Sequence, residues 1–302
     1  MEVRPFARRD REQLARLVNA HVAVVLPGAY VPPATLLNDL EHPLGEYIIG
    51  PWVTDLATFV ATERDRVVAA AHLRRYGDDA RVSDSYRDVG EVVWLLCWPN
   101  HLDAGRAVLD TATGQLESWG VREHYANGTL PCPAVYGVSD SWPHVRALYE
   151  EAGFDAGDAH VEVVLAGLTA GVDPPGPAPI AGLSLRRRLG TLGTAFDAVL
   201  DGEAVGMVEV DDDLTRGGTN LGAVGWADVC NHRVREDMRR QGIGSWLVRS
   251  AVEWLRLGGA SRLLAYASED EHLADTMRYA ARFGLHPVNR TTRGFDRTPG
   301  RN

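Results

Sequence analysis

Along the chain, apolar and polar positions fall into the two periods that separate strands from helices. Val3 to Phe6 has the pattern of a short strand. Leu14, Leu17 and Val18 then recur at helical spacing, which predicts a helix from a cap at Asp10 to about Val25. Pro32 and Pro33 open a second short helix. Phe59 to Thr62 and Val67 to Leu73 flank Glu63-Arg64-Asp65-Arg66 and read as a hairpin. Val92 to Cys97 predicts a buried strand, Gly105 to Trp119 a helix, and Ala134 to Val138 a strand. Ser141 can cap a helix that ends at Gly153, and Val161 to Leu165 predicts a closing strand.

The pattern breaks between Gly167 and Gly182, where Pro174, Pro175, Pro177 and Pro179 alternate with glycines. Proline without an apolar face reads as an extended linker. Beyond it the order partly repeats. Leu183 to Leu185 predicts a strand, and Ala195 to Leu200 with Ala204 to Val210 a hairpin over Asp201-Gly202. Val224 to Val234 predicts a longer strand, and Gly244 to Leu257 an amphipathic helix stopped by Gly258-Gly259. Leu263 to Ala267 and His272 to Phe283 supply a further strand and helix. The early helix pair of the first half has no counterpart. The expected organisation is residues 1–166, a linker at 167–182, and residues 183–302. The element order implies α/β (α+β) domains with mixed sheets flanked by helices.

Composition then narrows the chemistry. The 302 residues are 45% hydrophobic and 24% charged, with a net charge of -10, which argues against a general nucleic-acid surface. All 31 basic residues are arginine, so Schiff-base catalysis and a P-loop lysine are excluded. Cys97, Cys132 and Cys230 are far apart, and the 10 histidines form no His-Glu-x-x-His pair, so no metal site is expected. No apolar run is long enough to span a membrane, and the N-terminal residues lack the core of a signal peptide. A cytoplasmic location is expected.

One turn concentrates the chemistry. Arg239-Arg240-Gln241-Gly242-Ile243-Gly244 lies between the strand ending at Val234 and the helix starting near Gly244. Backbone N–H groups at a helix start have no internal partner and can point at phosphate oxygens. Gly242 and Gly244 let the backbone approach an anion, and two arginines add positive charge.

With its preceding strand, this loop resembles that of the GNAT superfamily of acyl-CoA-dependent N-acyltransferases, whose pyrophosphate loop reads Arg/Gln-x-x-Gly-x-Gly/Ala. The resemblance covers about Ala195 to Phe295 and implies two tandem GNAT-like domains, each a mixed, mostly antiparallel sheet flanked by helices. It implies acetyl-CoA as cosubstrate. Arg239, Arg240, Gln241, Gly242, Ile243 and Gly244 would hold its pyrophosphate, and backbone groups near Val234 its pantetheine. In the first half, Ala147-Leu148-Tyr149-Glu150-Glu151-Ala152-Gly153-Phe154 resembles the family's late helix. The matching loop, Asn100-His101-Leu102-Asp103-Ala104-Gly105-Arg106-Ala107, carries Asp103 in place of a cation and one glycine. That half reads as degenerate for CoA.

The implied reaction is direct acetyl transfer to a primary amine of a small molecule, without metal, nucleic acid or membrane; the oligomeric state stays open. The acidic balance would suit a cationic acceptor. The amine must lose a proton, and the departing thiolate benefits from a donor. Asp228, His232 and Glu209 are the base candidates. At period two, Trp226, Asp228, Cys230, His232 and Val234 would share a face. Tyr279 is the acid candidate, although it lies five residues before Gly284 whereas Tyr149 lies four before Gly153; Tyr266 is its alternative. A non-catalytic acyl-CoA-binding or regulatory module is the competing reading.

Overall fold

The computed structural model describes residues 1–42, 49–157, 160–214 and 224–297. Two compact units interleave along the sequence. One is built from Met1–Val161 and Asn289–Asn302, the other from Glu162–Gly218 and Ala223–Val288.

The first unit begins with β1 (Glu2–Pro5), α1 (Arg11–Val25) and α2 (Pro33–Glu41). Asp10 stands at the start of α1, but its carboxylate takes Arg4 and the Ala7 N–H rather than capping the helix. The hairpin β2 (Val53–Glu63) and β3 (Arg66–Tyr76) turns at Arg64 and Asp65, with φ of 49° and 63°. β4 (Val89–Cys97) is buried throughout, and α3 (Leu102–Ser118) packs against β2, β3 and β4.

The next strand is not where the apolar run at Ala134 to Val138 predicts it. β5 is Glu123–Ala126, parallel to β4. Ala134 and Gly137 have φ of 64° and 100°, which breaks the extended run and leaves β6 as Val138–Ser139. α4 (Pro143–Glu151) starts from Trp142, with Pro143 in its first turn, so Ser141 is not its cap. The sheet order in this unit is β1–β2–β3–β4–β5, closed by a strand from the end of the chain, β14 (Phe295–Arg297), beside β5.

β7 (His160–Leu168) carries the chain into the second unit, which begins at Glu162. A 3-10 turn at Thr169–Gly171 follows, held by Thr169 Oγ1 on the Ala260 carbonyl at 2.9 Å and by Arg256 donating to the carbonyls of Thr169 and Val172. The proline-rich stretch is held at both ends, because Val172 and Leu183 are buried in the core of this unit.

β8 (Ser184–Leu189), β9 (Thr194–Leu200) and β10 (Glu203–Asp211) form an antiparallel meander. β11 (Trp226–Val234), α5 (Ile243–Leu257), β12 (Arg262–Ser268) and α6 (Leu273–Ala281) complete the unit, and β13 (His286–Arg293) leads back to the first. The strands lie in the order β7–β12–β11–β10–β9–β8. α5 packs on β9, β10 and β11 through Ile243, Leu247, Ala251 and Leu255. Gly259, at φ 86°, ends it in the left-handed conformation. Each unit is thus a mixed sheet flanked by helices.

Candidate functional site

A cleft of about 780 Å³ opens in the second unit where β11 and β12 part. These strands pair in parallel from Trp226↔Arg262 to Asp228↔Leu264. Past Asp228, among the described residues, β11 is paired with β10 alone. Val229, Cys230, His232 and Val234 of β11 face Ala265 and Tyr266 of β12 across the gap. Strand backbone left unpaired there needs partners, and a ligand can supply them.

The β10–β11 register slips between Glu209↔Asn231 and Val210↔Val229, so Cys230 is the extra residue of a β-bulge. A bulge re-aims the side chains that follow. Ala227, Val229 and Val234 all pack on the core beneath α5. His232 lies on that helix-facing side as well, stacked on Tyr279 of α6. Asp228 projects the other way. The period-two expectation that Asp228, His232 and Val234 share a face is therefore corrected by the bulge.

α5 starts at Gly242, whose φ of 86° is left-handed, with no side-chain cap. Arg240 is also left-handed, at φ 62°. Gly242, Ile243, Gly244 and Ser245 line the cleft, so the uncapped first turn opens into it. Arg239 and Arg240 line the mouth, and Arg239 Nε donates to the Val234 carbonyl at 3.2 Å. Gln241 does not line the cleft, and its side chain donates to the Asp237 carbonyl at 3.4 Å. Pro179 packs behind the loop, 3.2 Å from where a Cβ on Gly242 would lie.

Tyr279 reaches the cleft despite its offset from Gly284. Its ring packs edge-on against Phe283, and burial pushes its hydroxyl up to about 12, opposed by a hydrogen bond with Ser245. Burial pushes the His232 imidazole down, so it is neutral at physiological pH. Cys230 lines the cleft as a thiol, pushed up to about 12 mainly by burial.

Asp228 lies outside the cleft lining, on the opposite face of the sheet. Burial drives its carboxyl up to about 7, with Asp211 and Glu162 adding to the rise and a Tyr266 hydrogen bond opposing it. Tyr266 lines the cleft, which makes it the link between the two faces. Asp211 and Glu162 carried no signal in the sequence, because they come from β10 and β7 and meet Asp228 only in the folded sheet.

Glu209 is committed elsewhere. Its carboxylate accepts from the Leu192 N–H at 2.7 Å, the Gly193 N–H at 3.4 Å and Asn231 Nδ2 at 2.8 Å. Burial pushes it up, but these donors outweigh burial and hold it below the usual carboxylate range.

The corresponding region of the first unit is filled. Gly105 serves packing, since a Cβ there would lie 2.6 Å from Leu148 Cδ1 and 2.9 Å from Cys97 Sγ. His144 Nε2 occupies the Cys97 carbonyl at 3.0 Å, and the buried Tyr149 hydroxyl donates to the Asn127 carbonyl at 2.8 Å. Asp103 pairs with Arg106 at 2.8 Å.

The Acetyltransferase (GNAT) family model matches residues 172–285. Among solved structures, the chain is similar to a tandem GNAT protein from the clavulanic acid biosynthesis pathway, at 18% identity and TM-score 0.64, covering 100% of this chain and 99% of that one. It is similar to a GCN5-related N-acetyltransferase from Sphaerobacter thermophilus at 15% identity and TM-score 0.61, covering 98% and 95%. A glucosamine N-acetyltransferase region of a fungal multi-domain β-N-acetylglucosaminidase matches at 12% identity and TM-score 0.62, over 97% of this chain and 38% of that one. No curated protein matches the chain. At these identities the structural likeness speaks for the fold. The GNAT acetyltransferase family model thus accounts for residues 172–285, and the chain as a whole shares the fold of a tandem GNAT protein.

Proposed function

We propose that this protein transfers an acetyl group from acetyl-CoA to a primary amine of a small molecule in the cleft of the second unit. The observation that carries this reading is the uncapped, glycine-started first turn of α5 opening into the gap between β11 and β12. Phosphate-bearing ligands favour such a turn, because its N–H groups lack partners and the helix dipole is positive there. Gly242, Ile243 and Gly244 would hold the pyrophosphate, with Arg239 and Arg240 beside it. Backbone groups of β11 up to Val234 would pair with the pantetheine.

Acetyl-CoA, when bound, supplies an activated thioester carbonyl. The residues of the chain then manage two protons. Asp228, beside Asp211 and Glu162, makes an acidic face that suits an ammonium. With a carboxyl near 7, it can take the ammonium proton through Tyr266, which lines the cleft, or through water. The amine nitrogen bonds to the acetyl carbon as the carbon–sulfur bond breaks, and the surplus N–H proton it then carries passes through water to restore the Tyr279 hydroxyl. Tyr279 gives its proton to the departing sulfur, and His232, stacked on it, holds the ring in place. Glu209 shapes the turn between β8 and β9 rather than moving protons. The acceptor is a small cationic molecule in the cytoplasm, not a nucleic acid or a membrane.

A thiol-release assay with acetyl-CoA against aminoglycosides, amino sugars, polyamines and other primary amines tests this. Turnover with one class is expected. Saturable acetyl-CoA binding without thiol release from any amine would leave an acyl-CoA-binding module instead.

A further inference from the structure

The first unit holds a cavity of about 490 Å³ that plays no part in the reaction proposed above. It sits over one polar row of the sheet. Arg74 of β3 is in register with Glu91 of β4, Glu91 with Tyr125 of β5, and Tyr125 with Asp296 of β14. Register partners project from the same face, so an arginine, two carboxylates and a tyrosine stand side by side. Arg74 and Glu91 are buried in this row, and Asp296 is exposed at its edge.

The buried Glu91 carboxylate accepts from the Tyr76 hydroxyl at 2.5 Å and from Asn127 Nδ2 at 3.3 Å. Both donors are neutral; the charge beside it is Arg74, which Glu91 shares with Asp39, so two carboxylates face one guanidinium. Arg74 forms its ion pair with Asp39, at 3.6 Å. Its Nε and Nη2 are buried without a hydrogen-bond partner among the described residues. Above this floor stands an aromatic wall. Tyr86 meets Tyr76 edge-on at 5.0 Å and Tyr125 at 5.8 Å. The Arg293 guanidinium lies 5.1 Å over the Tyr136 ring and lines the same cavity.

We infer that this cavity binds a small zwitterion of the α-amino-acid class. An ammonium would be held by Glu91 against the tyrosine faces, where a cation gains both charge pairing and ring attraction. A carboxylate would be held by Arg293, with Arg74 beneath. The opposite charges in the cavity exclude the simpler ligands: a bare amine meets two guanidinium groups, and a bare carboxylate meets Glu91 and Asp296. The site binds without turnover, because His144 and Tyr149 fill the region of this unit where a CoA would lie.

The test is calorimetric titration of the full chain with the common L-α-amino acids, followed by the decarboxylated and deaminated analogues of the tightest. One amino acid should saturate at one per chain, and each analogue should bind ~10-fold more weakly or worse. Glu91→Gln and Arg293→Gln should each weaken it by a similar factor with circular dichroism unchanged. Arg293 lies on the accessible wall, so its variant decides the matter if Glu91→Gln does not fold. Gly242→Glu, in the other unit, should leave this binding intact. No saturable binding by any amino acid overturns the inference, as does binding that ignores both variants or is lost in Gly242→Glu. Failure of the acetyl-transfer reading would appear in the thiol assay and leave this titration untouched.

Discussion

The Tyr279 hydroxyl lies 3.5 Å from His232 Nε2, with the two rings stacked at an interplanar angle of 9°. Both groups press against α5 at Gly244. A Cβ there would lie 3.0 Å from the Tyr279 hydroxyl and 3.1 Å from His232 Nε2. The glycine therefore lets a strand residue and a helix residue meet at the start of α5. Tyr279→Phe keeps the packing and removes the proton donor. Its kcat should fall by ~10²-fold, typical of a positioned acid, while acetyl-CoA affinity measured by calorimetry stays as in the parent. An unchanged kcat would remove Tyr279 from the reaction.

Gly242→Glu should abolish measurable acetyl-CoA binding. The new side chain needs a φ of 86°, meets Pro179, and puts a negative charge beside the proposed phosphate site. Circular dichroism should remain native. A dissociation constant equal to that of the parent would show that the phosphate sits elsewhere.

The Asp228 carboxyl, raised from 3.8 to about 7, makes two pH predictions. As a base it must be ionised, so kcat/KM should rise through pH ~7, and this limb should vanish in Asp228→Asn. For stability the sign runs the other way. A raised folded-state pKa favours the protonated native form, a contribution present below about 4 and lost as pH rises through about 7. Asp228→Asn should therefore melt higher than the parent at pH 8, by at most about 4 kcal/mol in stability, and show no gain below pH 4. Melting curves that keep the same separation at both pH values would contradict this.

Glu209→Gln should weaken the fold and not the chemistry. The amide cannot accept from the Leu192 N–H and Asn231 Nδ2 through both of its ends, so one donor loses its partner. The expected loss is about 1–2 kcal/mol, read by urea titration, with kcat near the parent value at a temperature where both are folded. A rate loss far beyond the loss of folded protein would restore Glu209 as a base.

Acetyl-CoA should saturate at one per chain. In the first unit His144 and Tyr149 already hold the Cys97 and Asn127 carbonyls. A titration ending at two per chain would show that these side chains give way.

The sequence by itself determined what depends on neighbours along the chain. Helix periodicity, the turns at Arg64-Asp65 and Asp201-Gly202, and the Arg239–Gly244 loop are local, and each lies where its pattern predicts. Chain order also set the absence of a helix pair between β8 and β9. Tertiary structure decided the rest. β5 is short and polar, so its strand character comes from pairing with β4 and β14 and not from its own residues. An apolar run at Ala134 to Val138 misled because left-handed backbone at Ala134 and Gly137 leaves no imprint on hydrophobicity. β14 joins a sheet begun at the other end of the chain, a pairing that no local pattern encodes. The same holds at the site. Period two put Asp228 and His232 on one face, and a single bulged residue, Cys230, put them on opposite faces. Whether Glu209 is a base or a brace depends on which N–H groups point at it, and those come from residues 192 and 193, brought to it by the turn between β8 and β9.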